Sequence, residues 1–120
     1  MLDKEMKRLI DQSDPFRNLV VVVMLDATRD IYEVAKISDR AARSRALEQA
    51  VWKLKRPVLE MIKRYRHVGL IVVNELDNSP SLVVAGPARA WQVLMEENAD
   101  LANDPRVELV PNQANWHLAQ

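Results

Sequence analysis

The order of apolar patterns along this 120-residue chain constrains its fold more than any single motif does. An all-apolar run at residues 19–25 is followed by a long amphipathic stretch, two further strand-like runs, a shorter amphipathic stretch and a last strand pattern. Read by periodicity, that succession is β-α-β-β-α-β. Helices in those two positions cover one face of a four-stranded sheet and leave the other face free for a partner. Apolar residues make up 48% of the chain, enough for one domain with a real core and too many for a disordered segment.

The individual segments support that order. Leu2, Met6, Leu9 and Ile10 recur at helical spacing before Pro15 stops the pattern, so residues 1–18 are an accessory helix and linker. Leu19, Val20, Val21, Val22, Val23, Met24 and Leu25 do not alternate with polar residues, as in a strand buried at the centre of a sheet. Residues 26–38 fit either an extension of that strand or a turn of helix. Ser38 or Asp39 then serves as N-cap for a helix reaching Tyr65, with Val51, Leu54, Val58 and Met61 or Ile62 on one stripe. Pro57 lies inside it and predicts a kink or two abutting helices.

Residues 68–76 and 81–85 read as a hairpin around Asp77-Asn-Ser-Pro80. A second helix starts at Pro87 or Ala88 and carries Ala90, Trp91, Leu94, Met95 and Leu101 inward, with Glu96, Glu97 and Asp100 outward. Val107, Leu109 and Val110 make the last strand. The expected fold is therefore α+β: a ferredoxin-like β-α-β-β-α-β sandwich over residues 19–112, with a four-stranded antiparallel sheet, two helices on one face, a short N-terminal accessory helix, and an extended C-terminal tail at residues 113–120.

Charge and composition narrow the function classes. The net charge is zero, but residues 36–66 hold ten Lys or Arg against three Asp or Glu, while residues 67–120 hold two against seven. Such a basic segment can neutralise phosphate. Arg40, Arg43, Lys53, Lys55, Arg56, Lys63 and Arg64 fall largely off the apolar stripe, however, as a solvated helix face requires. No cysteine is present, which removes disulfides and thiolate metal sites. The first residues lack the apolar core of a secretory signal and no run approaches the roughly 18 residues of a membrane span, so a cytoplasmic protein without membrane contact is expected.

No catalytic constellation stands out. His67 and His117, the only histidines, have no ligand partner at metal-binding spacing. Asp26, Asp30 and Glu33 follow the first strand, where carboxylates can bind a metal or act as a base, but their spacing also fits a solvated helix face. Two glycines cannot assemble a phosphate-cradling loop. The expectation is a non-enzyme with no cofactor and no metal. An RNA-recognition module would share the element order but needs aromatic residues on its inner strands, and these are aliphatic. Trp52 and Trp91 lie in helical patterns as core residues. Trp116, in the terminal segment, either closes the core edge or anchors a partner.

From about Ala42 onward the chain resembles the propeptide and proteinase-inhibitor domains of subtilisin-like serine proteases. The likeness is carried by Arg56-Pro-Val-Leu-Glu-Met-Ile62, Val68-Gly-Leu-Ile-Val-Val-Asn74, Leu82-Val-Val-Ala-Gly-Pro-Ala88 and Asn103-Asp-Pro-Arg-Val-Glu-Leu-Val-Pro-Asn112. It implies a protein that docks the outer face of its sheet on a protease and lays its tail along the substrate cleft by strand pairing. Asn115, Trp116, His117, Leu118, Ala119 and Gln120 would be the partner-binding residues. An acidic residue on the last strand caps helices of the protease in that family, whereas the positions around Pro111 and Gln113 are neutral here. With no protease domain following in this sequence, the expectation is action in trans, as inhibitor or folding chaperone of a subtilisin-like serine protease, rather than as a cleaved propeptide. The alternatives are a regulatory or oligomerisation domain that pairs its open sheet face in a homodimer, and nucleic-acid binding through the basic helix at residues 36–66.

Overall fold

A computed structural model describes residues 4–75 and 79–112. Its elements are α1 (Lys4–Gln12), β1 (Asn18–Leu25), α2 (Thr28–Ala35), α3 (Arg40–Lys63), a 3-10 turn (Arg66–Val68), β2 (Ile71–Asn74), β3 (Ser81–Pro87), α4 (Ala88–Glu97), α5 (Ala99–Asn103) and β4 (Val107–Pro111). The strands form one sheet in the order β2-β3-β1-β4, every pair antiparallel. This is the ferredoxin-like arrangement, with the first and third strands inside.

One face of the sheet makes the core. Leu19, Val21, Val23 and Leu25 of β1 stand beside Leu82 and Val84 of β3 and Val107 and Leu109 of β4, all buried. Against them pack Val58, Leu59 and Ile62 of α3, Ala90, Trp91 and Leu94 of α4, and Leu101 of α5. Met6, Leu9 and Ile10 of α1 belong to the same cluster, so the accessory helix is part of the core. Trp91 is fully buried and its indole N–H donates to the Leu19 carbonyl at 3.4 Å.

Local chemistry sets the helix limits. Asp39 caps α3, its carboxylate accepting from the Ala42 N–H at 2.9 Å. Pro57 sits inside α3 without dividing it into two helices, because the apolar stripe on both sides docks on one sheet face. The ambiguous residues 26–38 fold as α2, a separate helix that packs along α3 and buries no residue of its own. The long second helix expected from Ala88 to Leu101 is two: Asn98 has φ −128° and ψ 62°, which ends α4 and starts α5.

Two further expectations are corrected. The second strand begins at Ile71 rather than Val68, because Arg66–Val68 turn in a 3-10 helix that Gly69 closes at φ 112°, a left-handed conformation that favours glycine. A Cβ on Gly69 would lie 2.8 Å from Pro87 Cδ, and one on Gly86 would lie 2.5 Å from Leu70 Cδ2. Both glycines thus serve one close approach between the start of β2 and the end of β3. Lys55, assigned to the solvated face by its charge, is fully buried. Its ammonium donates to the Glu75 carbonyl and lies 5.1 Å from the Trp52 ring centroid, tying α3 to the chain just after β2. A lysine tolerates such a site when a carbonyl and an aromatic face replace its water.

Candidate docking face of the sheet

Among the described residues, the helices that build the core pack on the first face of the sheet and none of them covers the second. In antiparallel strands alternate residues share a face, and the register assembles three rows across this one. Ile71, Ala85 and Val20 form the first. Asn74, Val83, Val22 and Val110 form the second, and Ser81, Met24 and Glu108 the third. Val73 lies at the irregularity between Val72 and Asn74. The run at residues 19–25 is central in the sheet, as its composition predicts, but only alternate members are buried: Val20 and Val22 are half-buried and Met24 is exposed. An unbroken apolar run is expected of a strand covered on both sides. Here the described residues cover it on one.

The face is most open at the edge strand β2, where Ile71 and Val73 are each 60% exposed, and at the end of the central strand β1, where Met24 is 45% exposed. Glu108 is exposed on β4 beside Met24 and is the acidic residue that this face presents on its last strand. It lies upstream of the neutral positions around Pro111 and Gln113, and the alternation of Val107, Leu109 and Pro111 inward is the sequence signal that points Glu108 outward.

The edges of the sheet are less suited to a partner than its face. On β4, Asn112 N–H donates to the Val20 carbonyl at 2.8 Å, so N–H groups of the alternate residues 107, 109 and 111 face away from β1. Of these, the Val107 N–H donates to the Asp104 carbonyl at 3.1 Å and Pro111 has none to offer. The opposite edge is β2, four residues long and irregular in register.

The other residues singled out from the sequence are dispersed. Asn115, Trp116, His117, Leu118, Ala119 and Gln120, expected to bind a partner, lie outside the described residues, as does the rest of the expected tail. His67 is exposed, with its ring stacked near Tyr65 at 6.3 Å between centroids. The Asp26 carboxylate accepts from the Thr28 N–H at 3.0 Å, and its hydrogen bonds with Thr28 hold it below the usual aspartate range. Glu33 pairs with Lys36 at 3.3 Å on α2. Asp26, Asp30 and Glu33 therefore do not converge, and among the described residues no group of three His, Cys, Asp or Glu is placed to hold a metal ion. Nor is any helix of the described residues long and apolar enough to cross a membrane. Arg40, Arg45, Lys53, Arg56, Lys63 and Arg64 are exposed along α3, and Arg43 is half-buried, donating to the Ile37 carbonyl at 3.2 Å.

Comparison of the chain with family models, with curated proteins and with solved structures found no match.

Proposed function

We propose that this protein is a non-enzymatic binding domain that docks the open face of its sheet on another protein. In its concrete form, supported by the sequence resemblance, the partner is a subtilisin-like serine protease that the domain inhibits or helps to fold in trans. The observation that carries the reading is the composition of the face. Val20, Val22, Met24, Ile71, Val73, Val83, Ala85 and Val110 are apolar residues spread over four adjacent strands, joined by the polar Asn74 and Ser81, with Glu108 as the single ionisable group in these rows among the described residues. A sheet face that only solvent meets is normally polar.

Magnitudes say what else is needed. Four strands about 4.8 Å apart, with about five residues each at 3.3 Å, span on the order of 300 Å². A stable interface takes about 800 Å² from each partner. The face is thus the centre of an interface, completed by neighbouring segments. The residues after β4 are suitably placed in sequence, and Asn115 to Gln120 are proposed to enter the cleft of the protease as an added strand. Glu108 supplies a carboxylate at the rim, where it can meet the N–H groups of a helix N-terminus.

The test is inhibition of a subtilisin-like protease by the full chain, by a chain truncated after residue 114, and by Val22→Asp. Inhibition that falls on truncation and on Val22→Asp supports the reading; no inhibition at about 100-fold the affinity scale of micromolar complexes removes it for that protease. A second reading, pairing of the open face with a second copy, is favoured by the scarcity of charge on the face, since a twofold contact sets the patch against itself. Sedimentation of the chain and of Val22→Asp distinguishes a dimer that the substitution dissolves from a monomer.

A further inference from the structure

We infer that a hollow between α3, α5 and the ends of β1 and β4 binds a free α-amino acid with a large apolar side chain. The hollow, open to solvent on one side, has a volume of about 360 Å³ and is separate from the open face. Leu54, Val58 and Met61 of α3 line one side and Leu101 of α5 another, giving an apolar floor. That volume lies at the low end of the ~300–1,000 Å³ range of small-ligand sites, where one compact molecule is accommodated.

The charges at the rim select the ligand. Asp26 at the end of β1 and Asp100 on α5 stand there with Lys53 on α3. Among the described residues none of the three has an ion-pair partner, and the only hydrogen bonds of the Asp26 carboxylate are those with Thr28. The remaining charged groups, Asp104 and Arg106, face each other at 3.5 Å and Asp104 also accepts from the Arg106 N–H at 2.9 Å. A lone cation in the hollow would meet Lys53, and a lone anion would meet Asp26 and Asp100. A zwitterion satisfies both: its ammonium faces the carboxylates, its carboxylate faces Lys53, and its side chain covers Leu54, Met61 and Leu101.

The test is a titration of the full chain, followed by amide NMR signals, with L-methionine, methioninamide and N-acetylmethionine. The two blocked forms keep the side chain and lose one charge each. The inference expects saturable shifts centred on residues 53–61 and 100–104 with methionine, at an affinity on the order of a millimolar because the rim charges are exposed. Each blocked form, and each of Lys53→Met and Asp100→Asn, is expected to bind up to about fivefold more weakly, the effect of one exposed charge pair. Unchanged circular dichroism establishes that the variants fold. Equal binding of all three compounds, or no saturable shift with methionine at about ten times that concentration, overturns the inference. Val22→Asp on the open face should leave the titration unchanged, so this site and the protein-docking reading stand or fall separately.

Discussion

The two faces of the sheet are built from nearly the same residues and end in opposite environments. Leu19, Val21, Val23 and Leu25 are buried under helices, while Val20, Val22 and Met24 of the same strand meet solvent. Val84 and Val83 differ in the same way on β3. Hydrophobicity therefore does not decide which side is covered. The connections do, because both β-α-β crossovers place their helices on one side of the sheet. Apolar side chains on the uncovered side contribute less to the monomer than those under the helices.

The sharpest way to break this contrast is to place the same charge on each side of β1. Val21→Asp buries an unpaired carboxylate in the core and should cost more than about 4 kcal/mol, enough to unfold the chain in a thermal melt. Val22→Asp, one residue on, should shift stability by less than about 1 kcal/mol and act on partner binding instead. If both unfold the protein, the open face is covered within the monomer.

Next in size are two probes of the helix-covered side. Lys55→Ala removes a buried stem and leaves the Glu75 carbonyl without its ammonium, for a loss of about 2–4 kcal/mol by chemical denaturation. Lys53→Ala on the same helix is exposed and should cost less than about 0.5 kcal/mol. Gly86→Ala forces a Cβ against Leu70 and should cost about 1–3 kcal/mol.

The smallest expected effect is on acid stability. Hydrogen bonds from Thr28, its side chain first, lower the Asp26 pKa, and the hydrogen bonds from Arg106, its backbone N–H first, lower that of Asp104. A carboxyl whose folded pKa is depressed stabilises the fold above its unfolded pKa, and that contribution is lost as pH falls through the folded value. Stability should thus decline as pH drops below the ordinary aspartate range, and Asp26→Asn should flatten that decline slightly in pH-dependent melts. Both groups are on the helix-covered side's periphery, so partner binding at the open face should not follow the same curve.

Much of the fold is legible in the residues themselves. The strand at residues 19–25, the cap at Asp39, the stripe through Val51, Val58 and Ile62, and the start at Ala88 all follow from local patterns that the packing agrees with. What eluded the sequence has physical causes. Residues 26–38 fold as α2 because α3 offers it a surface, a contact no local pattern records. The break at Asn98 interrupts an apolar periodicity that runs on unbroken to Leu101. Lys55 was hidden by its charge, since only the tertiary approach of Glu75 supplies its acceptor. Of the candidate site, the element order reveals that one face is free, but naming Val22, Met24, Ile71 and Glu108 as its members needs the register. The hollow at Lys53, Asp26 and Asp100 joins residues distant in sequence and has no signature there.

The proline that ends β4 has a consequence for the protein at high concentration. Of the three outward positions on β4, Pro111 has no donor and the Val107 N–H is already engaged, so Leu109 is left to start a strand from another molecule, and the border is a poor template. Strand-by-strand growth of the sheet into fibrils is therefore disfavoured along this border.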